Sequence, residues 1–342
     1  MKALVIHAAH DLRVQDLATP DPAGDEVRVR LGAGGICGSD LHYYGHGGVG
    51  DFRLREPMVL GHEVAGDVTA VGKRVTRVQV GDRVAVNPSR PCLHCGACLS
   101  GHSNLCPNMR FYGSAARYPH VQGAFAEEFL AREDQCEVVP DHLSYREAAC
   151  AEPLAVTLHA ASQAGPLLGQ TVLVVGAGPI GALLAASARL AGSTAITVTD
   201  LQDAPLAVAA RMGATRTVNV TADDAGSGYD VVFEASGSPA GLASALGAVR
   251  AGGRVVQVGM LPPGVTGAPL NPLISREVTL VGSFRFHREF AWAARLLADG
   301  RVDVTPILTA SFPLSRAPEA FALAGDRSRA VKVTLTPDEG SV

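Results

Sequence analysis

Four cysteines lie close together at short, regular spacing, and their side chains are the most distinctive chemical feature of the chain. They are Cys92, Cys95, Cys98 and Cys106, in the pattern C-x2-C-x2-C-x7-C. Four thiolates can surround one Zn2+ ion tetrahedrally, in a closed site that stabilises a lobe and leaves no position for substrate. Iron–sulfur ligation also uses C-x2-C-x2-C, but its last gap is three residues instead of seven. The spacing therefore predicts a structural zinc lobe over about 88–110, and an iron–sulfur site is the less favoured alternative.

A second, open metal site is predicted from Cys37, His62 and Glu152. Glycines flank both Cys37 and His62, as expected where backbone and substrate approach closely. Three protein ligands leave the fourth zinc position for water or a substrate oxygen, which is the arrangement of catalytic sites. Glu63 is an alternate ligand: in an extended segment it would point away from His62, but in a turn both could reach the metal. We take Glu152 as the expected third ligand, with Glu63 able to exchange with it.

The segment GAGPIG predicts a dinucleotide site. Gly176, Gly178 and Gly181 stand between an apolar strand and an apolar helix that opens with Pro179 and Ile180. These glycines permit a tight turn, a close approach of backbone to pyrophosphate, and packing of helix on strand. The helix N-terminus then offers amide donors to the pyrophosphate. Asp200 ends the next strand, where a carboxylate binds the ribose hydroxyls and repels a 2′-phosphate, so NAD is favoured over NADP.

The pattern of apolar and polar residues in the sequence changes near residue 153. The first part has short β-rich runs broken by Gly, Pro and Asp, which is typical of an all-β barrel-like domain. Strands then alternate with helices, which predicts a doubly wound parallel sheet. We expect an α/β protein in which 1–152 and 286–342 form one domain and 153–285 form the other.

Composition excludes several function classes. The 342 residues carry a net charge of −4 without a basic block, which argues against nucleic acid or an anionic membrane as partner. The N-terminus has the pattern of a first strand instead of a signal peptide. The seven cysteines are odd in number and four are clustered, which favours metal binding in a reducing cytoplasm over disulfides.

These motifs, taken together, resemble the zinc-dependent medium-chain alcohol/polyol dehydrogenase family over essentially the whole chain. GHE at 61–63, the four-cysteine lobe, EPLAV at 152–156 and GAGPIG at 176–181 occur in the order found in that family. The resemblance implies a GroES-like β-barrel catalytic domain and a Rossmann NAD-binding domain, with two zinc ions per chain. It also implies a homodimer or homotetramer, with edge strands such as 278–284 pairing across a two-fold axis.

The resemblance also implies an activity. Within the family, segments such as GGICGSDLHYY and GSFRF are most similar to enzymes of sugar acids, which implies reversible NAD-linked oxidation of L-idonate to 5-ketogluconate. A neutral polyol such as sorbitol or xylitol is the alternative, and threonine is less favoured. Ser39 could take the proton from the substrate oxygen, and His42 stands where the family places the end of the proton path.

Substrate contacts are also predicted. A sugar-acid carboxylate requires a bidentate arginine, for which the candidates are Arg110, Arg117 and Arg285. Tyr43 and Tyr112 could bond sugar hydroxyls.

Overall fold

The computed structural model describes residues 1–19, 21–264 and 267–338. It divides into two compact units. The first contains Met1–Glu152, Phe290–Asp326 and the segment from Lys332 onward; the second contains Pro153–Glu289 and Arg327–Val331. The predicted division into 1–152 with 286–342 and 153–285 stays a prediction; the chain here divides after Glu152 and after Glu289, and Arg327–Val331 groups with the second unit.

The N-terminal part of the first unit is rich in strands, because apolar residues alternate with polar ones. In β3, for example, Val27, Val29 and Leu31 are buried while their neighbours are partly exposed. The elements are β1 (Lys2–Ala8), β2 (Asp11–Asp16), β3 (Glu26–Gly35), α1 (Gly38–His46), β4 (Gly48–Val49), β5 (Phe52–Arg53), β6 (Met58–Val59), β7 (Glu63–Val71), β8 (Arg83–Val86), β9 (Ser89–Arg90), α2 (Gly96–Leu99), β10 (Arg110–Phe111), β11 (Glu128–Arg132), β12 (Cys136–Val138) and α3 (Tyr145–Ala149).

Strands and helices alternate through the second unit. The elements are α4 (Ala151–Ala164), β13 (Thr171–Val175), α5 (Pro179–Leu190), β14 (Ala195–Asp200), α6 (Asp203–Arg211), β15 (Arg216–Asn219), β16 (Tyr229–Glu234), α7 (Pro239–Ala248), β17 (Val249–Gln257), α8 (Asn271–Ser275) and β18 (Thr279–Gly282).

The six strands of this unit form one parallel sheet in the order β15-β14-β13-β16-β17-β18. Counted within the unit, that order is 3-2-1-4-5-6, the doubly wound arrangement of dinucleotide-binding sheets. The central strand β13 is buried on both faces: Val172 and Val174 pack in one hydrophobic cluster, and Leu173 and Val175 pack in another. This two-sided burial explains why its sequence is a continuous apolar run.

The C-terminal part completes the first unit. Its elements are α9 (Glu289–Ala298), β19 (Leu308–Pro313), α10 (Ala317–Gly325) and β20 (Lys332–Thr336). The main sheet of this unit has seven strands in the order β12-β8-β7-β3-β20-β19, with β11 also paired to β3. Strand β3 is therefore flanked by β7 and by β20, which brings both ends of the chain to one place in the fold.

Candidate active site and metal centres

The four-cysteine lobe has the geometry of a closed tetrahedral site. The sulfur of Cys106 lies 3.5 Å from that of Cys92 and 3.8 Å from that of Cys95, which in turn is 3.5 Å from that of Cys98. A tetrahedral Zn–S bond of about 2.3 Å requires sulfurs about 3.8 Å apart. A multi-iron cluster holds its cysteines on separate iron atoms and would spread the sulfurs further. The lobe therefore fits a single zinc ion.

Backbone amides donate to two of the four sulfurs in this lobe, those of Cys92 and Cys106. The amides of Cys92 and Asn108 donate to the Cys106 sulfur at 3.4 and 3.3 Å. The backbone N–H of His94, more than that of Cys95, lowers the pKa of Cys92 to about 6. Since the thiolate is the form that binds zinc, these donors favour metal binding at Cys92. Burial, followed by the hydrogen bond with Cys95, raises the pKa of Cys98 to about 12 and so acts in the opposite direction.

Short strands and an arginine close the lobe at its base. Strand β9 pairs antiparallel with β10, so the loop that carries the cysteines begins and ends at one place. The guanidinium of Arg117 donates to the carbonyl of Met109 at 2.7 Å and to that of Pro107. Arg117, a predicted substrate contact, is thus engaged with the backbone that follows Cys106.

The second metal site forms where β3 ends and β7 begins. Gly35 is paired with Glu63 across these antiparallel strands, so Cys37, just after β3, lies beside His62. One ligand atom from each of Cys37, His62 and Glu63 lies within 4.8 Å of the others. A thiolate, an imidazole and a carboxylate form a donor set that zinc accepts.

Gly61 explains why His62 and Glu63 both reach this site. Its φ is +95°, a left-handed conformation that turns the chain just before β7. A Cβ at this position would lie 2.3 Å from the Phe125 ring. The segment 61–64 is therefore not one continuous strand: β7 begins at Glu63, and a ligand atom of His62 and one of Glu63 both lie close to Cys37. Glu63 therefore joins Cys37 and His62, whereas Glu152, the expected third ligand, lies outside this group of three.

Glu63 is held by a buried ion pair that the sequence analysis missed. The ammonium of Lys332 lies 2.8 and 2.7 Å from the two carboxylate oxygens and also donates to the carbonyl of Ile36 at 3.2 Å. Gly35 provides the space, since a Cβ there would lie 2.1 Å from a Glu63 oxygen. The pair fixes the Glu63 carboxylate beside Cys37 and His62.

Asp40 joins the two loops that carry the ligands, and it too was missed. One of its oxygens accepts from the amide of Cys37 at 2.9 Å, in a capping box at the start of α1. The other accepts from the amide of Gly61 at 3.3 Å and lies 3.8 Å from Nδ1 of His62. This distance is too long for a hydrogen bond, but it places the Asp40 charge on the Nδ1 side of the ring and leaves the other ring nitrogen for the metal.

Electrostatics at the site reflect burial among like charges. Burial, followed by the Glu63 charge, raises the pKa of Cys37 to about 12. Burial also raises the pKa of Glu152 to about 8, against the lowering effect of His62. For Lys332 burial acts to lower the pKa, but Glu63 and Cys37 outweigh it and the pKa is raised. A divalent cation bound here would offset the negative charges of the Cys37 thiolate and the Glu63 and Glu152 carboxylates.

The predicted proton path lies on α1. Ser39 and His42 are three residues apart in this helix and so occupy one face. Ser39 is partly exposed and His42 is exposed. Tyr43 is buried instead, and its hydroxyl accepts from the amide of Ala115 at 2.9 Å.

The remaining predicted substrate contacts are dispersed. Tyr112 donates to the carbonyl of Leu130 at 2.7 Å. The ring centroid of Phe111 lies 5.4 Å from that of His62. Arg110 precedes Phe111 in β10, and because consecutive strand residues point to opposite faces, Arg110 points away from His62. In the second unit, Arg285 has φ +53° and its guanidinium lies 4.9 Å from the centre of the Phe284 ring.

The dinucleotide loop lies between β13 and α5. Gly176 has φ +98°, and Gly178 is the N-cap of α5, with open space where a Cβ would project. Gly181 is required for packing, because a Cβ there would lie 1.8 Å from the carbonyl oxygen of Gly176. Pro179 is the first helical residue and Ile180 follows it. Free amides at this helix terminus suit a pyrophosphate.

Asp200 lies at the end of β14, directly beside this loop. Its carboxylate accepts from the amide of Ala177 at 2.7 Å and from those of Leu201 and Gln202 at 2.7 and 3.0 Å. These donors fix the carboxylate at the carboxyl edge of the sheet, where such sheets bind the adenosine ribose.

Two family models match this chain. The alcohol dehydrogenase GroES-like domain covers residues 23–141, and the zinc-binding dehydrogenase model covers residues 179–299. The sorbitol dehydrogenase of Bacillus subtilis is 39% identical over 99% of this chain and 98% of its own length. The chain belongs to the zinc-dependent medium-chain polyol dehydrogenase family. The predicted family and the GroES-like and Rossmann fold are thereby confirmed. The prediction of zinc and a nicotinamide cofactor is confirmed as zinc and NAD(P).

Other members of this family are also similar to this chain, in sequence and in structure. The L-idonate 5-dehydrogenase (NAD(P)(+)) of Escherichia coli K12 is 43% identical over 90% of both chains. A crystal structure of L-idonate 5-dehydrogenase from that species superposes with a TM-score of 0.93, covering 98% of this chain and 97% of that one at 39% identity. The 2R,3R-butanediol dehydrogenase of Bacillus subtilis gives 0.87 at 30% identity, covering 98% and 99%. The protein is a dehydrogenase of CH–OH groups on a polyol or sugar acid.

Within the part of the chain that the structure describes, none of the helices has the length and apolar character needed to cross a membrane.

Proposed function

We propose that this dehydrogenase oxidises L-idonate to 5-ketogluconate with NAD. The observation that supports it most is the 43% identity with L-idonate 5-dehydrogenase over 90% of both chains. A neutral polyol is the second candidate, favoured by the sorbitol dehydrogenase that is 39% identical over 99% of this chain.

We propose Cys37, His62 and Glu63 as the ligands of the catalytic zinc, with Glu152 as the carboxylate that can exchange with Glu63. The proposal rests on the convergence of the first three groups within 4.8 Å and on the buried position of Glu152. A zinc ion in this site would act as a Lewis acid and lower the pKa of the substrate hydroxyl. Asp40 and Lys332 orient His62 and Glu63, and burial keeps water from competing for the site.

Ser39 is proposed to accept the proton that leaves the substrate hydroxyl, and His42 to pass it to solvent. Their spacing of one helical turn and the exposure of His42 support this path. Nicotinamide supplies the hydride acceptor.

Cofactor choice is proposed to depend on Asp200. Its carboxylate is fixed by three backbone amides, and bringing a 2′-phosphate beside it would set two negative groups together. We therefore expect NAD to be preferred, although a relative's name includes both cofactors.

Arg285 is the arginine that we propose to bind the substrate carboxylate. Arg117 is engaged with the zinc lobe and Arg110 points away from His62, whereas Arg285 holds a left-handed backbone conformation at φ +53°. A non-glycine residue held in such a conformation carries strain that often accompanies function.

We further propose a homodimer or homotetramer through β18. This strand lies at the edge of the parallel sheet and exposes Leu280. An exposed apolar edge is a template for pairing with a second copy. None of the seven cysteines, all of which the structure describes, forms a disulfide, and we propose that the protein works in the reducing cytoplasm.

A substrate screen tests the proposal. NADH formation would be followed with L-idonate, gluconate, sorbitol, xylitol and threonine. L-idonate should give the highest kcat/KM, and Arg285→Met should lower it at least about 100-fold because a carboxylate is left unpaired. Sorbitol, which has no carboxylate, should be affected less. Higher kcat/KM for sorbitol or xylitol in the parent enzyme would replace the sugar-acid function with the polyol one.

A further inference from the structure

A polar cavity of about 220 Å3 lies in the first unit, beside the base of the zinc lobe. Its walls come from β9, β10 and β11 and include Arg90, Arg110 and Arg132, together with Glu26 and Tyr112. The cavity is smaller than the roughly 300–1,000 Å3 typical of sites for drug-sized ligands. It has room for a small molecule.

This cavity is separate from the catalytic metal site. None of the four described residues Cys37, His62, Glu63 and Glu152 lines it. Arg110 faces the cavity, whereas the next residue, Phe111, packs on His62, so the two sites lie on opposite faces of β10.

The three arginines have hydrogen-bonding capacity that the described residues do not use. Arg110 makes no side-chain hydrogen bond or ion pair with any described residue. Arg90 approaches Glu26 only at 3.9 Å, beyond hydrogen-bonding distance. Arg132 uses its Nε towards Asp134 at 3.1 Å and Asp25 at 3.5 Å, and its two terminal nitrogens bond to no described group.

The charge of the cavity favours an anion. Three guanidinium groups face one carboxylate, that of Glu26, so the walls carry an excess of positive charge. Asp25 and Asp134 offset the charge of Arg132 from one side only. His120, which also lines the cavity, has both ring nitrogens engaged, with the amide of Arg55 and the carbonyl of Arg117. Planar guanidinium groups with free N–H donors match the geometry of phosphate and carboxylate oxygens.

We propose that this cavity is a second ligand site, which binds a small oxyanion of the phosphate or carboxylate class between Arg90, Arg110 and Arg132. Tyr112 lines the cavity as well, but its hydroxyl donates to the carbonyl of Leu130 and is therefore not counted among the donors to the anion. The site is independent of the substrate proposed above, because none of the described metal ligands is among the residues that line it.

Calorimetric titration of the zinc-loaded, full-length protein with inorganic phosphate, and separately with succinate, tests this site. Saturating NAD would occupy the helix terminus at Gly178, and chloride would hold the ionic strength constant. The same titration of His62→Ala excludes binding at the catalytic metal. We expect one saturable site per chain for at least one of the two anions, unchanged in His62→Ala.

Arginine variants locate the site. Arg110→Gln should weaken anion binding at least about 10-fold, because it removes charge-assisted hydrogen bonds, and its fold should survive because this side chain has no described partner to lose. Arg90→Gln should act in the same direction. Arg53→Gln, at an exposed arginine outside the cavity, is the matched control and should bind like the parent.

Three results would overturn the proposal. The first is the absence of saturable binding of either anion, and the second is binding that Arg110→Gln leaves unaffected. The third is a parent protein that binds neither anion and whose oligomeric state, measured by light scattering, changes in Arg110→Gln; an acidic side chain of a second copy would then be the true occupant.

Discussion

The buried ion pair between Lys332 and Glu63 yields a prediction whose size follows from the structure. The ammonium lies 2.7–2.8 Å from both carboxylate oxygens, and both side chains are only 2% exposed. Lys332→Met keeps much of the side-chain volume but leaves Glu63 buried without its counter-charge. Removing one partner of a buried pair costs about 3–5 kcal/mol. We expect the metal-free protein to lose that amount of unfolding free energy.

Urea unfolding followed by tryptophan fluorescence measures this loss. The single tryptophan, Trp292, lies in the first unit, so its signal reports on the unit that contains the pair. In the zinc-loaded protein, Lys332→Met should lose less unfolding free energy, because a divalent ion supplies positive charge beside Glu63. Lys2→Met is the matched control: Lys2 lies 3.2 Å from Asp338 but its side chain is 47% exposed, so its loss should not exceed about 1 kcal/mol.

The double variant separates charge from packing. Glu63→Gln combined with Lys332→Met removes both charges, and it should recover much of the stability that Lys332→Met loses. The reasoning is refuted if Lys332→Met costs less than about 1 kcal/mol in the metal-free protein, or if the double variant is no more stable than Lys332→Met.

Three further predictions concern the cofactor loop and the buried acids. Gly181→Ala would place a Cβ 1.8 Å from the Gly176 oxygen, so NAD binding measured by fluorescence titration should be lost; near-parental affinity would contradict the packing role. Asp200→Ala should weaken NAD binding about 10- to 100-fold in the same titration, because a hydrogen bond to a charged group contributes about 1.5–3 kcal/mol. It should also reduce the ratio of NAD affinity to NADP affinity. An unchanged ratio would exclude Asp200 as the residue that selects NAD. Burial raises the pKa of Glu152 from 4.5 to about 8, so in metal-free protein its contribution to stability is full below pH 4.5 and is lost as pH rises through about 8. Glu152→Gln should flatten that decline in urea unfolding, and an equally steep decline in the variant would refute it.

Features set by local geometry could be predicted from the sequence. The four cysteines lie within fifteen residues, so their spacing alone restricts them to one metal. The turn at Gly176 joins a strand to the helix that follows it, and only glycine tolerates its φ of +98°. The alternation of strands and helices after residue 153 likewise predicted the parallel sheet, because each strand and each helix can be recognised from the pattern of its own residues.

Features that depend on distant parts of the chain could not be predicted in the same way. Lys332 is 269 residues from Glu63, and the two meet only because β20 and β7 flank β3. The convergence of Glu63 with His62 depends on the left-handed turn at Gly61, for which the sequence allowed two geometries. Asp40 had a local signal in its capping-box spacing from Cys37, which could have identified it.

The direction in which Arg110 points is another feature that could not be predicted from the sequence. Whether it or Phe111 faces His62 depends on the register in which β10 pairs with β9. A shift of one residue would exchange the two faces, and nothing in the neighbouring residues specifies that register.

Metal content measured together with turnover tests the central claim, that one zinc holds a lobe and another serves catalysis. The account predicts two zinc ions per chain in the parent protein. His62→Ala should retain one zinc and a folded chain but lose turnover, and Cys95→Ser should lose the lobe zinc together with stability, because a structural zinc contributes folding free energy. Iron in the parent protein, a single zinc per chain, or an active His62→Ala variant would contradict the account.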